Sequence, residues 1–219
     1  MPDTAAPPRS PRIPADLTAA TDLEEETGVE DGDFGPLDLT GRTFDLVEVT
    51  GSRFAGTRLS ESLWRRCHLR DCVLDGCDLA NSTLDQTGLR RVALSGARLT
   101  GFTVGRAPHW DLSFTHCQGE FSVWRQVRME RVRFEGCRLS NSDWGGATLT
   151  DVVFEDCDLT SAAFSQCRMR SVLFRGCGYD GIRGLDGFRG ARVDAGDLLD
   201  LGVAMAAALG IGVSAEDRA

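Results

Sequence analysis

Large apolar residues recur at every fifth position over most of the chain. Stepping by five from Phe34 gives Leu39, Phe44, Val49, Phe54, Leu59 and Trp64, and the register runs on to Tyr179 without an insertion. Of its 30 positions, 26 hold Leu, Phe, Trp, Met or Tyr; the exceptions are Val49, Val104, His109 and Gly119. A second register, two residues earlier, holds Gly, Ala, Ser, Thr, Val or Cys except at Leu37, Arg42, Phe102 and Leu112. A period of five matches neither a helix nor a strand. The small and large positions of each unit, being two apart, share one face of an extended segment. An odd repeat keeps both inward only if the chain turns a corner once per unit. The two residues after each large one, as in Asp75-Gly76, Ser95-Gly96 and Glu135-Gly136, are of the types that make turns. The pattern therefore predicts a coil of short extended pieces joined by corners.

A longer stride of 20 residues overlies the five. Phe114, Phe134, Phe154 and Phe174 form one series, and Cys77, Cys117, Cys137, Cys157 and Cys177 another, with Ala97 between the first two cysteines. Trp124 and Trp144 are neighbours on a third, with Trp64 on the same face. These read as stacks up the inside of a square tower. The stretches CDLANSTL, CRLSNSDW and CDLTSAAF resemble the pentapeptide-repeat family, whose unit is a small residue, any, Leu or Phe, any, any. The resemblance implies an all-β solenoid, a right-handed quadrilateral parallel β-helix with four units per coil. Thirty units give about seven to seven and a half coils, and at a strand spacing of about 4.8 Å a rod near 36 Å long.

All eight cysteines (67, 72, 77, 117, 137, 157, 167 and 177) fall in the small-residue register. Their spacing belongs to the repeat, so they are expected as buried small hydrophobes, not as zinc ligands or disulfides. Domain boundaries follow the composition. Residues 1–33 hold five of the seven prolines and the acidic stretch TDLEEETGVEDGD, and are expected to form a disordered arm. The β-helix is expected over 34–181. Residues 182–219 form a C-terminal cap with a helix at about 195–209 and a short tail, Asp194 or Asp197 starting the helix and Gly210 ending it. Leu198, Leu201, Met205 and Leu209 fall at helical spacing on it. An open solenoid end needs a cover. The helix is either that cap alone or, as in similar family members, also the seat of a homodimer.

Residues 102–121 gather the deviations. Phe102 and Leu112 are oversized in small positions, and His109 and Gly119 replace large ones. One reading is a pocket lined by His109, Asp111 and His116; the other is that Phe102, Leu112 or Phe121 fills the space and His109 is simply accommodated. No catalytic, cofactor-binding or metal residue is expected, because no nucleophile–base pair, phosphate loop or carboxylate dyad stands out.

The charge is −9 overall, but residues 34–180 hold 18 acidic and 18 arginine side chains, so the excess lies in the ends. No basic-then-apolar leader or long apolar run is evident, so a cytoplasmic location without membrane contact is expected. The acidic total disfavours direct nucleic-acid binding. The resemblance implies a protein partner, most specifically DNA gyrase or topoisomerase IV, engaged by DNA mimicry and protected from antibiotics. The alternative is an interaction scaffold for another protein, on a face where arginines outnumber acids; a small-molecule binder or enzyme using the coil at 102–121 is a third.

Overall fold

Extended pieces pair with the pieces 20 residues further along, so the sequence stride becomes a physical layer. Where two pentads run on together they make eight-residue strands: His68–Asp75, Gly88–Ser95, Pro108–Thr115, Arg128–Glu135, Thr148–Glu155 and Arg168–Arg175. Each lies parallel to the next, with Leu94 opposite Phe114 and Phe114 opposite Phe134. Thr43–Asp45, Leu63–Arg65, Thr83–Asp85 and Thr103–Val104 stack into a second sheet. The result, in a computed structural model that describes residues 5–212, is a parallel β-solenoid of about eight turns followed by one C-terminal helix.

The corners explain the turn residues. Asp71, Arg91, Asp111, Arg131 and Asp151 have φ between 51° and 57°, and most residues at the second position after each large one likewise have positive φ. This left-handed conformation is unfavourable for a residue with a Cβ. It is held by a ladder bond at the corner itself: the Arg66 N–H donates to the Asp85 carbonyl at 3.0 Å and the His116 N–H to the Glu135 carbonyl at 2.8 Å.

Stacked rings fill the interior. Phe114, Phe134, Phe154 and Phe174 lie 4.6, 5.0 and 4.9 Å apart, near-parallel, and Trp124 and Trp144 lie 5.1 Å apart. Each buried indole N–H must find an acceptor. Trp64, Trp124 and Trp144 find theirs in Ser62, Ser122 and Ser142, at 2.9, 2.7 and 2.8 Å. The cysteines are buried and free. The Cys137 thiol donates to the Phe114 carbonyl at 3.4 Å, and burial pushes the Cys72 and Cys167 thiols up to about 12.

Both ends differ from expectation. Part of the segment expected as a disordered arm, from residue 18 onward, is built into the solenoid. Gly28–Glu30 pairs with Glu48–Thr50, and Thr18–Ala20 pairs with Gly32–Phe34 at a register of 14 residues, making a short extra coil. Leu23 drops into the core as its plug. Backbone ladder bonds and one well-placed leucine do here what apolar density does elsewhere.

At the other end, Phe188 stacks on Phe174 at 4.7 Å and meets Phe164 edge-on at 5.2 Å, closing the stack. Asp197 reaches back to the last coil, accepting the Gly176 and Cys177 N–H groups at 3.0 and 3.2 Å and the Tyr179 hydroxyl at 2.9 Å. It therefore gives no side-chain cap to the helix α1 (Leu198–Ala208) that follows it. Gly210 has φ +72° just beyond α1.

Candidate functional site

The residues expected to line a pocket at 102–121 do not converge. His109 points into the core between Leu89 and Met129 of the adjoining coils, is 1% exposed, and has no hydrogen-bond partner on either ring nitrogen. Burial lowers its pKa to about 4, so it is a neutral space-filler at pH 7. Asp111 sits on the next corner and His116 on the one after, exposed to solvent. Of the candidate fillers, Phe102 and Leu112 are buried, Phe102 edge-on to Trp124 at 5.7 Å, whereas Phe121 is 61% exposed. Among the described residues no group of three His, Cys, Asp or Glu is placed to hold a metal ion.

Asp111 instead belongs to a ladder of paired charges along one corner. Arg91 grips Asp71 through Nε and Nη2, both at 2.5 Å, and Arg131 grips Asp111 through Nε at 2.7 Å and Nη2 at 3.2 Å. The Arg91 hydrogen bond holds the Asp71 carboxyl below its usual range. Burial opposes the same effect at Asp111, but the bonds from Arg131 and from the Arg9 N–H prevail and lower it. The N-terminal arm runs over this ladder. Its Arg9 N–H donates to Asp111 at 3.1 Å and its Arg12 N–H to Asp71 at 3.0 Å. These acceptors for the arm carry no signal in the pentad pattern beyond their place at a corner.

Another corner carries unpaired charge. Arg106, Pro108, Gln126, Arg128, Gly146, Thr148, Gln166 and Arg168 line an open groove of about 650 Å³ with no acidic residue among them. The third surface is α1. Of the four residues expected on one face, only Leu201 is buried; Leu198, Met205 and Leu209 are exposed, together with Leu199 and Val203. Ala204 packs partly against the core, and α1 otherwise leaves a cleft against Tyr179, Asp180 and Ile182 of the last coil. The helix thus covers the end only in part and offers solvent most of its large apolar side chains.

Residues 127–183 match the pentapeptide repeat region, and residues 52–91 and 65–101 match pentapeptide repeats in eight copies. No curated protein matches the chain. Among solved structures, a trypsin-treated variant of QnrB1, a plasmid-mediated fluoroquinolone resistance protein, aligns at 18% identity with a TM-score of 0.43, covering 90% of this chain and 94% of that one. HetL, a pentapeptide repeat protein involved in heterocyst differentiation regulation from the cyanobacterium Nostoc sp., aligns at 13% identity with a TM-score of 0.35, covering 76% and 89%. The unbroken pentad register, its 20-residue layers and the two matched regions together place this chain in the pentapeptide-repeat family.

Proposed function

We propose that the chain is a non-enzymatic, protein-binding solenoid. The observation that carries this reading is where unsatisfied groups lie. The interior is stacked rings and buried thiols, whereas the apolar side of α1 and the arginine groove face solvent. Leu198, Leu199, Met205 and Leu209 suit a second copy of the same helix, which would join two rods end to end. A cytoplasmic location goes with this reading, because eight thiols in small core positions need no oxidising compartment.

The narrower form of the reading takes DNA gyrase or topoisomerase IV as partner, with protection from antibiotics as the outcome. A net charge of −9 and the length of two joined rods favour it. Mimicry of duplex charge has less support, since the Asp71–Arg91 and Asp111–Arg131 pairs neutralise one another on the surface. Supercoiling by purified gyrase, with and without a gyrase poison, tests it. Inhibition, or rescue from the poison, at low micromolar protein supports a topoisomerase partner. No effect removes that partner and leaves the scaffold for another protein.

A further inference from the structure

Arg106, Arg128 and Arg168 differ from the arginines of the paired ladder. No carboxylate or other side-chain partner engages them among the described residues. On a chain of net charge −9 they form a concentrated positive strip whose arginines make no salt bridge among the described residues. Asp186 stands at one end, its carboxylate accepting the Gln166 N–H at 3.4 Å.

The spacing of this strip is informative. Arg128 pairs in register with Thr148 and Thr148 with Arg168, so the two arginines hold the same position two coils apart. At strand spacing that separation is about 9.6 Å. The arm on the neighbouring ladder shows what kind of chain fits such a step. Its N–H groups at Arg9 and Arg12, three residues apart, bond to Asp111 and Asp71, which are also two coils apart. Prolines at 7, 8, 11 and 14 keep that segment extended. A polyproline II chain returns to the same face every third residue after about 9.3 Å. An extended segment laid along the rod axis is therefore in step with every second coil.

We propose that the arginine groove binds an extended acidic segment of a protein partner whose carboxylates recur at every third residue, one on Arg128 and the next on Arg168. Gln126, Gln166 and Thr148 hydrogen-bond its backbone, and Arg106 extends the positive strip by a further coil. This assignment rests on the protein-binding reading and names the chemistry of the partner. A nucleic-acid strand fits less well, because its charge, one per about 3.4 Å, runs on past the groove over an otherwise acidic chain.

The test is fluorescence polarisation of the full chain with labelled peptides. One repeats Glu-Pro-Pro; a second has the same composition with its glutamates two residues apart; a single-stranded oligonucleotide of equal charge is the third probe. The three-residue spacing is expected to bind about tenfold tighter than the other two, and R128E/R168E to remove at least that factor. Thermal melting should be unchanged in the variant, since neither guanidinium has a partner to lose; R128Q/R168Q serves if the Glu pair melts early. Equal binding of the two peptides, preference for the oligonucleotide, or undiminished binding by the folded variants would overturn the proposal. A chain that alters gyrase activity or self-associates through α1 but ignores these peptides loses only the groove assignment.

Discussion

The coils at 102–121 and 122–141 lie one upon the other in the same register, yet their interiors are filled differently. The second places Trp124, Met129, Phe134 and Leu139 inward, one large residue per side. The first places Val104, His109, Phe114 and Gly119 there, and recovers volume through Phe102 and Leu112 in positions that are elsewhere small. A Cβ on Gly119 would come within 2.9 Å of Leu139 Cδ2, so Leu139 of the next coil occupies the space of the missing side chain. The solenoid thus fixes volume per layer more strictly than residue type per position. Deviations here are repacking, and function is to be sought on the outside.

The largest expected effect is in the regular stack. Trp144→Asp places an unpaired carboxylate between Trp124 and Phe164 and orphans the Ser142 partner. A loss above about 5 kcal/mol, read as absence of a cooperative melt, is expected. Phe102→Ala asks whether the irregular coil needs its displaced ring. A loss of about 3–5 kcal/mol in denaturant unfolding is expected, as for any fully buried Phe; under about 1 kcal/mol would mean Phe102 is not the filler.

His109→Leu acts in the opposite direction. The folded pKa is near 4 and the unfolded one near 6.5, so between these values the unfolded chain binds more protons. Wild-type stability therefore falls as pH drops through that window, by about 3 kcal/mol at its lower end, and the leucine variant escapes this loss. The melting temperature of the leucine variant relative to wild type should therefore rise further between pH 7 and pH 4.5; an offset that stays constant would show that His109 finds a partner when protonated. The smallest effect is expected at Cys137→Ser. Its hydroxyl can keep the bond to the Phe114 carbonyl, so a loss of about 1 kcal/mol with no change in metal content is expected.

The tower was legible because its core is written at every fifth residue, and the cysteine and tryptophan stacks follow from that register. Helix α1 was legible to within about three residues at its start. The N-terminal coil was not, because a single leucine, Leu23, and ladder bonds between backbone groups hold an otherwise acidic segment. Nor was the docking of the arm, which uses main-chain N–H groups that every sequence supplies. Asp197 stands at the start of α1 as its position in the sequence predicts, but its carboxylate is taken by Tyr179 and the last coil, which spacing alone does not show. Residue type identified the charged corners; only the coiled structure shows which arginines are paired with acids and which are free.

If this rod meets other proteins through surfaces its own fold leaves unpartnered, as proposed, α1 is the surface whose proposed partner, a second copy of the chain, needs no other component to test. Sedimentation equilibrium of the full chain, alongside Leu199→Glu/Leu209→Glu, tests it most directly. The wild-type chain is expected to be a dimer at micromolar concentration, and the double variant a monomer with an unchanged circular dichroism spectrum. A wild-type chain that stays monomeric at 100-fold higher concentration, about 5 RT more favourable to association, would contradict it.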